Sequence, residues 1–254
     1  MPFKPPDAAI ESGHMDFEQA YNHAEDILRP DTVDLSRLAE EDSQHYQALD
    51  LRDKIDTTLR KRRKLEERLQ GGGLIEYKMG RIAEAITHEG AREGLIIRPI
   101  IQALHASEYD DTENGIDEII EFEGSQRRSA HLGLGLDVTT GNIQDIVAKK
   151  VDRIKQQIDR NAFTRLYYPG GPIIATPVVV YIPRETLSLI IEPWSSGGLE
   201  AVAQHPLWGK LSQQIFAQSV HFKDYAEKRR RKEFVTMYND ALNAVPPEYR
   251  SAAA

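Results

Sequence analysis

Two aspartates stand in or beside apolar runs, where an acid is costly. Asp117 follows Gly115-Ile116 and leads into Glu118-Ile119-Ile120-Glu121-Phe122, and Asp137 lies within Leu134-Gly135-Leu136-Asp137-Val138-Thr139. A carboxylate taken out of water needs a partner or a cation. Residues 116–122 and 132–139 read as strands close enough in sequence to be hairpin neighbours, so the two acids can share one divalent ion. Mg²⁺ takes hard oxygen ligands, typically one or two carboxylates with phosphate and water. An ion so held polarises a phosphate and acidifies an attacking water. The next helix supplies a cation. At about 100° per residue, Lys150 falls inside the stripe of Ile146, Val147, Val151, Ile154 and Ile158, while Lys149 points away. A lysine on a buried face calls for a partner, and two strand aspartates would be one. Each residue also has a plainer role open to it. Asp117 could cap the turn after Gly115, Asp137 could face solvent near Thr139-Thr140-Gly141-Asn142, and Lys150 could snorkel outward.

The elements that must position these groups follow from pattern. Residues 1–13 read as a loose tail, and 16–28 as a short helix stopped by Pro30. From 34 to 70 there is neither glycine nor proline, which predicts one long helix or two in tandem, with Asp34 or Ser36 as N-cap. Leu35, Leu38, Leu49, Ile55, Leu59, Leu65 and Leu69 make only a broken heptad, consistent with an arm packed on its own domain or with a coiled-coil dimerisation stalk. Gly71-Gly72-Gly73 is the clearest hinge and marks a domain boundary. Residues 74–88 and 98–106 read as helices, the first with Ile75, Met79, Ile82, Ala83 and Ile86 on one face. A helix from about 143, a buried strand at 177–182 and a helix at 185–191 follow. Pro193 and Gly197-Gly198 then break the chain before helices that end at Pro246-Pro247. The expected organisation is a helical N-terminal arm (1–70), an α/β core (74–192) and a helical C-terminal extension (193–254).

From 74 to 182 the expected order is helix, helix, strand, strand, helix, strand. Together with the acids this resembles the PD-(D/E)XK, or restriction-endonuclease-like, nucleases, whose core is helix, three antiparallel strands, helix and strand. Their signature is an Asp opening one strand and an acid-x-Lys on the next; Asp117 and Asp137-Val138-Thr139 are similar to these. Gly80-Arg81-Ile82-Ala83-Glu84 resembles the family's first-helix glutamate motif, and Asp111 the acid that often precedes the GID-type strand. The resemblance implies a small mixed sheet flanked by helices. It implies hydrolysis of nucleic-acid phosphodiesters, DNA ahead of RNA, with Mg²⁺ or Mn²⁺ held by Asp117, Asp137 and Glu84. Thr139 replaces the motif lysine. Lys150 then supplies the migrated cation, with Thr139 hydrogen-bonding nearby, or the chain is a non-cutting relative that binds or scaffolds. Glu84 fits the family pattern but falls opposite the apolar stripe on a helical wheel, where Glu76 is the geometric competitor.

Composition narrows the classes. The chain has 254 residues and no cysteine, which excludes disulfides, thiolate catalysis and cysteine-ligated metals. No run approaches the ~18 apolar residues of a membrane helix, so a cytoplasmic protein without membrane contact is expected. A net charge of −8 argues against coating nucleic acid over the whole surface and leaves room for local basic patches, such as Lys61-Arg62-Arg63-Lys64 and Lys228-Arg229-Arg230-Arg231-Lys232. Arg127-Arg128, between the candidate strands, would lie near a substrate. The expected partners are nucleic acid and, through the N-terminal helices, a second copy of the chain. The eight histidines show no metal-binding spacing.

Overall fold

The structure, a computed structural model, describes residues 14–42, 44–46, 48–69, 73–98, 100–122, 132–140 and 144–250. The tail at 1–13, the Gly71-Gly72 hinge, the 123–131 loop with Arg127-Arg128, and Gly141-Asn142-Ile143 lie outside these residues. The elements are α1 (His14–Asp31), α2 (Leu35–Glu41), α3 (Ala48–Arg68), α4 (Leu74–Arg92), β1 (Ile100–His105), α5 (Glu108–Asn114), β2 (Glu118–Phe122), β3 (Leu132–Thr139), α6 (Gln144–Arg160), β4 (Thr164–Leu166), β5 (Ile173–Tyr181), α7 (Arg184–Val202), α8 (Leu207–Lys228), α9 (Lys232–Ala244) and α10 (Pro247–Arg250). The chain is α/β, with helices on both faces of a five-stranded mixed sheet of order β1-β2-β3-β5-β4. β1, β2 and β3 are antiparallel neighbours, β3 and β5 run parallel, and β4 returns antiparallel to β5.

Alternation along the strands divides the core in two. Ile120, Leu134, Leu136, Val138, Val178 and Val180 belong to the larger cluster, with Ile82 and Ile86 of α4, Leu211 and Phe222 of α8 and Tyr238 of α9. Leu104, Ile119, Ile173 and Ala175 belong to a second cluster, closed by Val33, Leu35, Leu38, Tyr46 and Leu51. The N-terminal helices therefore contribute to both layers. α1 buries Ala20, Ala24 and Leu28 in the larger one. The Tyr46 hydroxyl donates to the Tyr168 carbonyl (2.7 Å) and accepts from its amide (2.9 Å), and Asp42 accepts from the Gly170 amide (2.9 Å). Asp34 is the N-cap of α2, accepting from the amides of Ser36 (2.8 Å) and Arg37 (3.3 Å).

The free side of β5 is closed without a full strand. β4 pairs only with residues 173–175. Further along, Tyr238 donates to the Pro177 carbonyl (3.1 Å), Gln218 accepts from the Val179 amide (2.9 Å) and donates to its carbonyl, and Gln214 does the same for Tyr181 (2.7 and 2.9 Å). Every outward main-chain group of Val179 and Tyr181 is satisfied by an amide side chain from α8.

Several expectations are corrected. Residues 98–106 do not form a helix: 100–105 are strand β1, which adds a third antiparallel strand to the sheet. The run Ile96, Ile97, Ile100, Ile101, Leu104 fits helical spacing, but pairing with β2 decides the conformation, leaving Ile101 58% exposed. Pro30 lies inside the last turn of α1 and Pro193 inside α7. Pro193 is tolerated because the carbonyl left without an N–H partner is that of solvent-exposed Leu189; the break falls instead at Gly198, with φ +65°. Ile75 and Ile146, placed on apolar stripes, are exposed. Among the described residues no helix is long and apolar enough to cross a membrane.

Candidate functional site

Helix α5 starts at Ser107, whose hydroxyl accepts from the Asp110 amide (3.1 Å), and ends at Gly115 in the left-handed conformation (φ +59°). A Cβ at Gly115 would lie 2.2 Å from Arg153 Nη1, so glycine supplies both the turn and the space that the guanidinium occupies. This turn delivers Asp117 to the start of β2. Glu118 pairs with Leu136, so Asp117 and Asp137 stand one step further out, on one face of neighbouring strands. The Val138 amide donates to Asp117 Oδ2 (2.6 Å), and both aspartates are buried. Lys150 of α6 pairs with Asp137 Oδ1, while Arg153 donates to Asp137 Oδ2 (2.8 Å) and to the Gly115 carbonyl (3.2 Å). The three residues singled out first, Asp117, Asp137 and Lys150, therefore meet.

Glu84 approaches from α4. Its Oε2 accepts from Arg81 Nη1 (2.6 Å) and faces His105 Nε2 (3.3 Å). Arg81 also donates to Glu25 of α1 (2.7 Å), and His105 Nδ1 donates to the Ala106 carbonyl (3.0 Å). Glu84, not Glu76, bears on the strand acids; Glu76 is exposed at the margin of the cleft. The wheel misjudged Glu84 because α4 is buried on several faces, with Ala85, Thr87, His88 and Ala91 as inaccessible as its expected stripe. Thr139 lies two residues beyond Asp137 and is buried, and its carbonyl accepts from the Ile182 amide (3.0 Å).

The electrostatics follow from crowding acids in a poorly solvated place. Burial pushes Asp117 well above the usual carboxylate range, and the negative charges of Asp111, Glu84 and Asp137 push it further. Burial and Glu84 raise Asp111 to about 6, against a hydrogen bond with Asp117 that draws it down. Burial also raises Asp137, although Lys150 and Arg153 oppose it. Burial would raise Glu84 too, but the His105 hydrogen bond and Arg81 overcome it and hold that carboxyl low. His105 itself is held above its ordinary value: burial works against its charge, and Glu84 prevails.

A cleft of ≈ 670 Å³ opens beside this cluster, on the side of Glu84 and Asp111; Asp117, Asp137 and Lys150 do not line it. Glu84, His105 and Asp111 line it from one side, and Lys61, Arg62 and Leu65 of α3 from the other. Among the described residues, no three His, Asp or Glu side chains are arranged to hold a metal ion as they stand. In kind the donors suit one: they are carboxylate oxygens, the ligands of Mg²⁺ and Mn²⁺, and their mutual repulsion at Asp117 is what a divalent ion relieves.

Sequence reasoning missed Arg153, His105 and Glu25. Arg153 was findable, since it lies three residues beyond Lys150 on the same helix face. His105 was hidden by the helical reading of 98–106. Glu25 left no local signal, being brought in by the packing of α1 on α4. Within the basic run at 228–232, Arg229 is bonded to Asp159 (3.0 Å) and Arg231 to the Asp159 carbonyl, while Lys228, Arg230 and Lys232 are exposed. His205 opens α8 by accepting from the Leu207 amide (3.1 Å). Searches against protein-family models, curated proteins and solved structures return no match.

Proposed function

We propose that the protein is a metal-dependent nuclease with a restriction-endonuclease-like core. The observation that carries this reading is the meeting of Asp117 and Asp137, at adjacent strand positions, with Lys150 of α6, while Glu84 and Asp111 bear on Asp117. The chain order α4, β1, β2, β3, α6, β5, with three antiparallel strands and a parallel fourth, supports the same reading. Asp117, Asp137 and Glu84 would hold Mg²⁺ or Mn²⁺, which supplies polarisation of the phosphate and a more acidic water. Lys150 and Arg153 set two positive charges where negative charge develops on the scissile phosphate. Arg81 and His105 fix the Glu84 carboxylate in rotamer and charge.

One observation favours a binding or scaffold protein that does not cut. Both oxygens of Asp137 are engaged by Lys150 and Arg153, which neutralise it without an ion, and Thr139 offers no cation of its own. A single assay separates the two. Single- and double-stranded DNA and RNA are incubated with wild type, Asp137→Ala and Lys150→Ala in Mg²⁺ or Mn²⁺. Cleavage abolished by Asp137→Ala and slowed ~10²–10³-fold by Lys150→Ala is expected. Cleavage indifferent to Asp137→Ala would reject the site, and no cleavage of any substrate would leave the binding protein.

A further inference from the structure

The C-terminal half of α3 is not held by a hydrophobic face. Beyond Asp56, Thr58 is the only buried side chain among its described residues, and Leu59 and Leu65 are exposed. Instead it is fastened to α5 by charge: Lys61 to Glu113 (2.5 Å) and Arg62 to Glu108 (3.9 Å). Ion pairs this exposed contribute about 0–1 kcal/mol each and exchange readily for other anions. The same two cations line the wall of the cleft that faces Glu84, His105 and Asp111. A second hollow of ≈ 410 Å³ adjoins it and shares Arg62, Arg81 and Glu108, so a groove continues along α3 past the acidic cluster. Leu65 and Tyr77 offer apolar surface in the wider part.

We infer that this groove takes single-stranded nucleic acid, with phosphates on Lys61 and Arg62 and bases against Leu65 and Tyr77. The inference deepens the nuclease reading and rests on it for the role of the acids. Both hollows fall within the ~300–1,000 Å³ of pockets that enclose a drug-sized ligand. Helices wall them on two sides, so a nucleotide or two of one strand enters and a duplex does not. The α3 wall of this groove is basic, with Lys61 and Arg62, while the rest of its lining carries Arg81 and the acids Glu25, Glu76, Glu84, Glu108 and Asp111. Cations beside a ring such as Tyr77, on which a base can stack, are how unpaired strands are bound without sequence preference. Glu108 and Glu113 hold the cations when no strand is present, and phosphates replace them.

The test is fluorescence anisotropy of a labelled 20-nucleotide single strand and of its blunt duplex, in EDTA so that nothing is cut. Tighter binding of the single strand by at least about tenfold is expected. Lys61→Gln with Arg62→Gln should weaken it about tenfold or more and lower the salt slope by about 0.7 for each phosphate that is no longer neutralised. Glu108→Gln with Glu113→Gln breaks the same two ion pairs but keeps both cations and removes two competing anions, and should tighten binding. A merely structural role for the pairs would make both double variants lose binding alike, and that result, or equal affinity for duplex and single strand, overturns the inference. Because no metal is present, the outcome is independent of cleavage. Single-strand preference with no nuclease activity sinks the proposed function and keeps the groove; metal-dependent cleavage with no such preference does the reverse.

Discussion

Asp117 and Glu118 are consecutive residues on opposite faces of one strand, and their surroundings differ in kind. Glu118 belongs to a closed network. His88 Nδ1 meets its carboxylate at 2.9 Å, His88 Nε2 meets Asp31 at 3.0 Å, and Arg92 donates to Asp31 (2.8 Å). Two acids face two bases, and the network joins the end of α1 to α4 and β2. Burial works against the charge of His88, but Glu118 and Asp31 together outweigh it and raise the imidazole above its ordinary value. Around Asp117 the cations stand at the margins, Lys150 and Arg153 on Asp137, Arg81 and His105 on Glu84, while Asp117 and Asp111 hydrogen-bond to each other. One cluster is complete without a ligand; the other is left with acids in excess, two of which, Glu84 and Asp111, line a cleft. Balanced buried charge holds a fold together, and unbalanced buried charge marks a place kept for something else.

The contrast is breakable at several points. Glu118→Ala leaves a buried imidazole without its main acid and should cost about 3–5 kcal/mol in urea unfolding. Gly115→Ala strains a left-handed turn and evicts the Arg153 guanidinium from the other cluster. A loss of about 2 kcal/mol is expected, together with slower cleavage, read by unfolding and turnover on one preparation. pH tests the acids directly. Asp111 is raised from 3.8 to about 6, so the folded chain binds its proton more tightly than the unfolded one. Stability therefore falls as pH rises through that window, with a slope of at most about 1.4 kcal/mol per pH unit for one proton. Asp110, raised to about 6 mainly by burial, adds a parallel slope, so the measurement is the difference between wild type and Asp111→Asn, which should be flatter. Asp117→Asn keeps an oxygen for the Val138 amide and removes the repelled charge. In metal-free buffer near neutral pH it should gain about 1 kcal/mol, and in Mg²⁺ it should lose all cleavage; a loss of stability would put Asp117 in the same class as Glu118.

Much of the sheet was legible because its strands are apolar and its acids are not. β2, β3, β5 and α6 announce themselves by run length and spacing, and Asp117, Asp137 and Lys150 stand out as charges where the pattern asks for none. What stayed hidden was set by pairing and packing. β1 is an edge strand whose apolar residues mimic a helix, and only its ladder with β2 fixes it. Glu84 lies on a helix that tertiary packing buries on several faces beyond its first turn, so a wheel cannot say which face is inside. The Glu118–His88–Asp31 network spans residues from three elements with no local motif, and charge at single positions does not reveal whether it will be balanced.

The amide clasp on β5 has a bearing on association. Between β4, Tyr238 and the two glutamines of α8, the main chain from 173 to 181 presents no rung to which an incoming strand can attach, and Pro177 has no N–H to offer one. Fibril growth, strand exchange between copies, or a partner that docks by lengthening the sheet is left the two outer strands: the three-residue β4, and the longer β1, where Ile101 is bare and the Val33 amide meets the His105 carbonyl (3.0 Å).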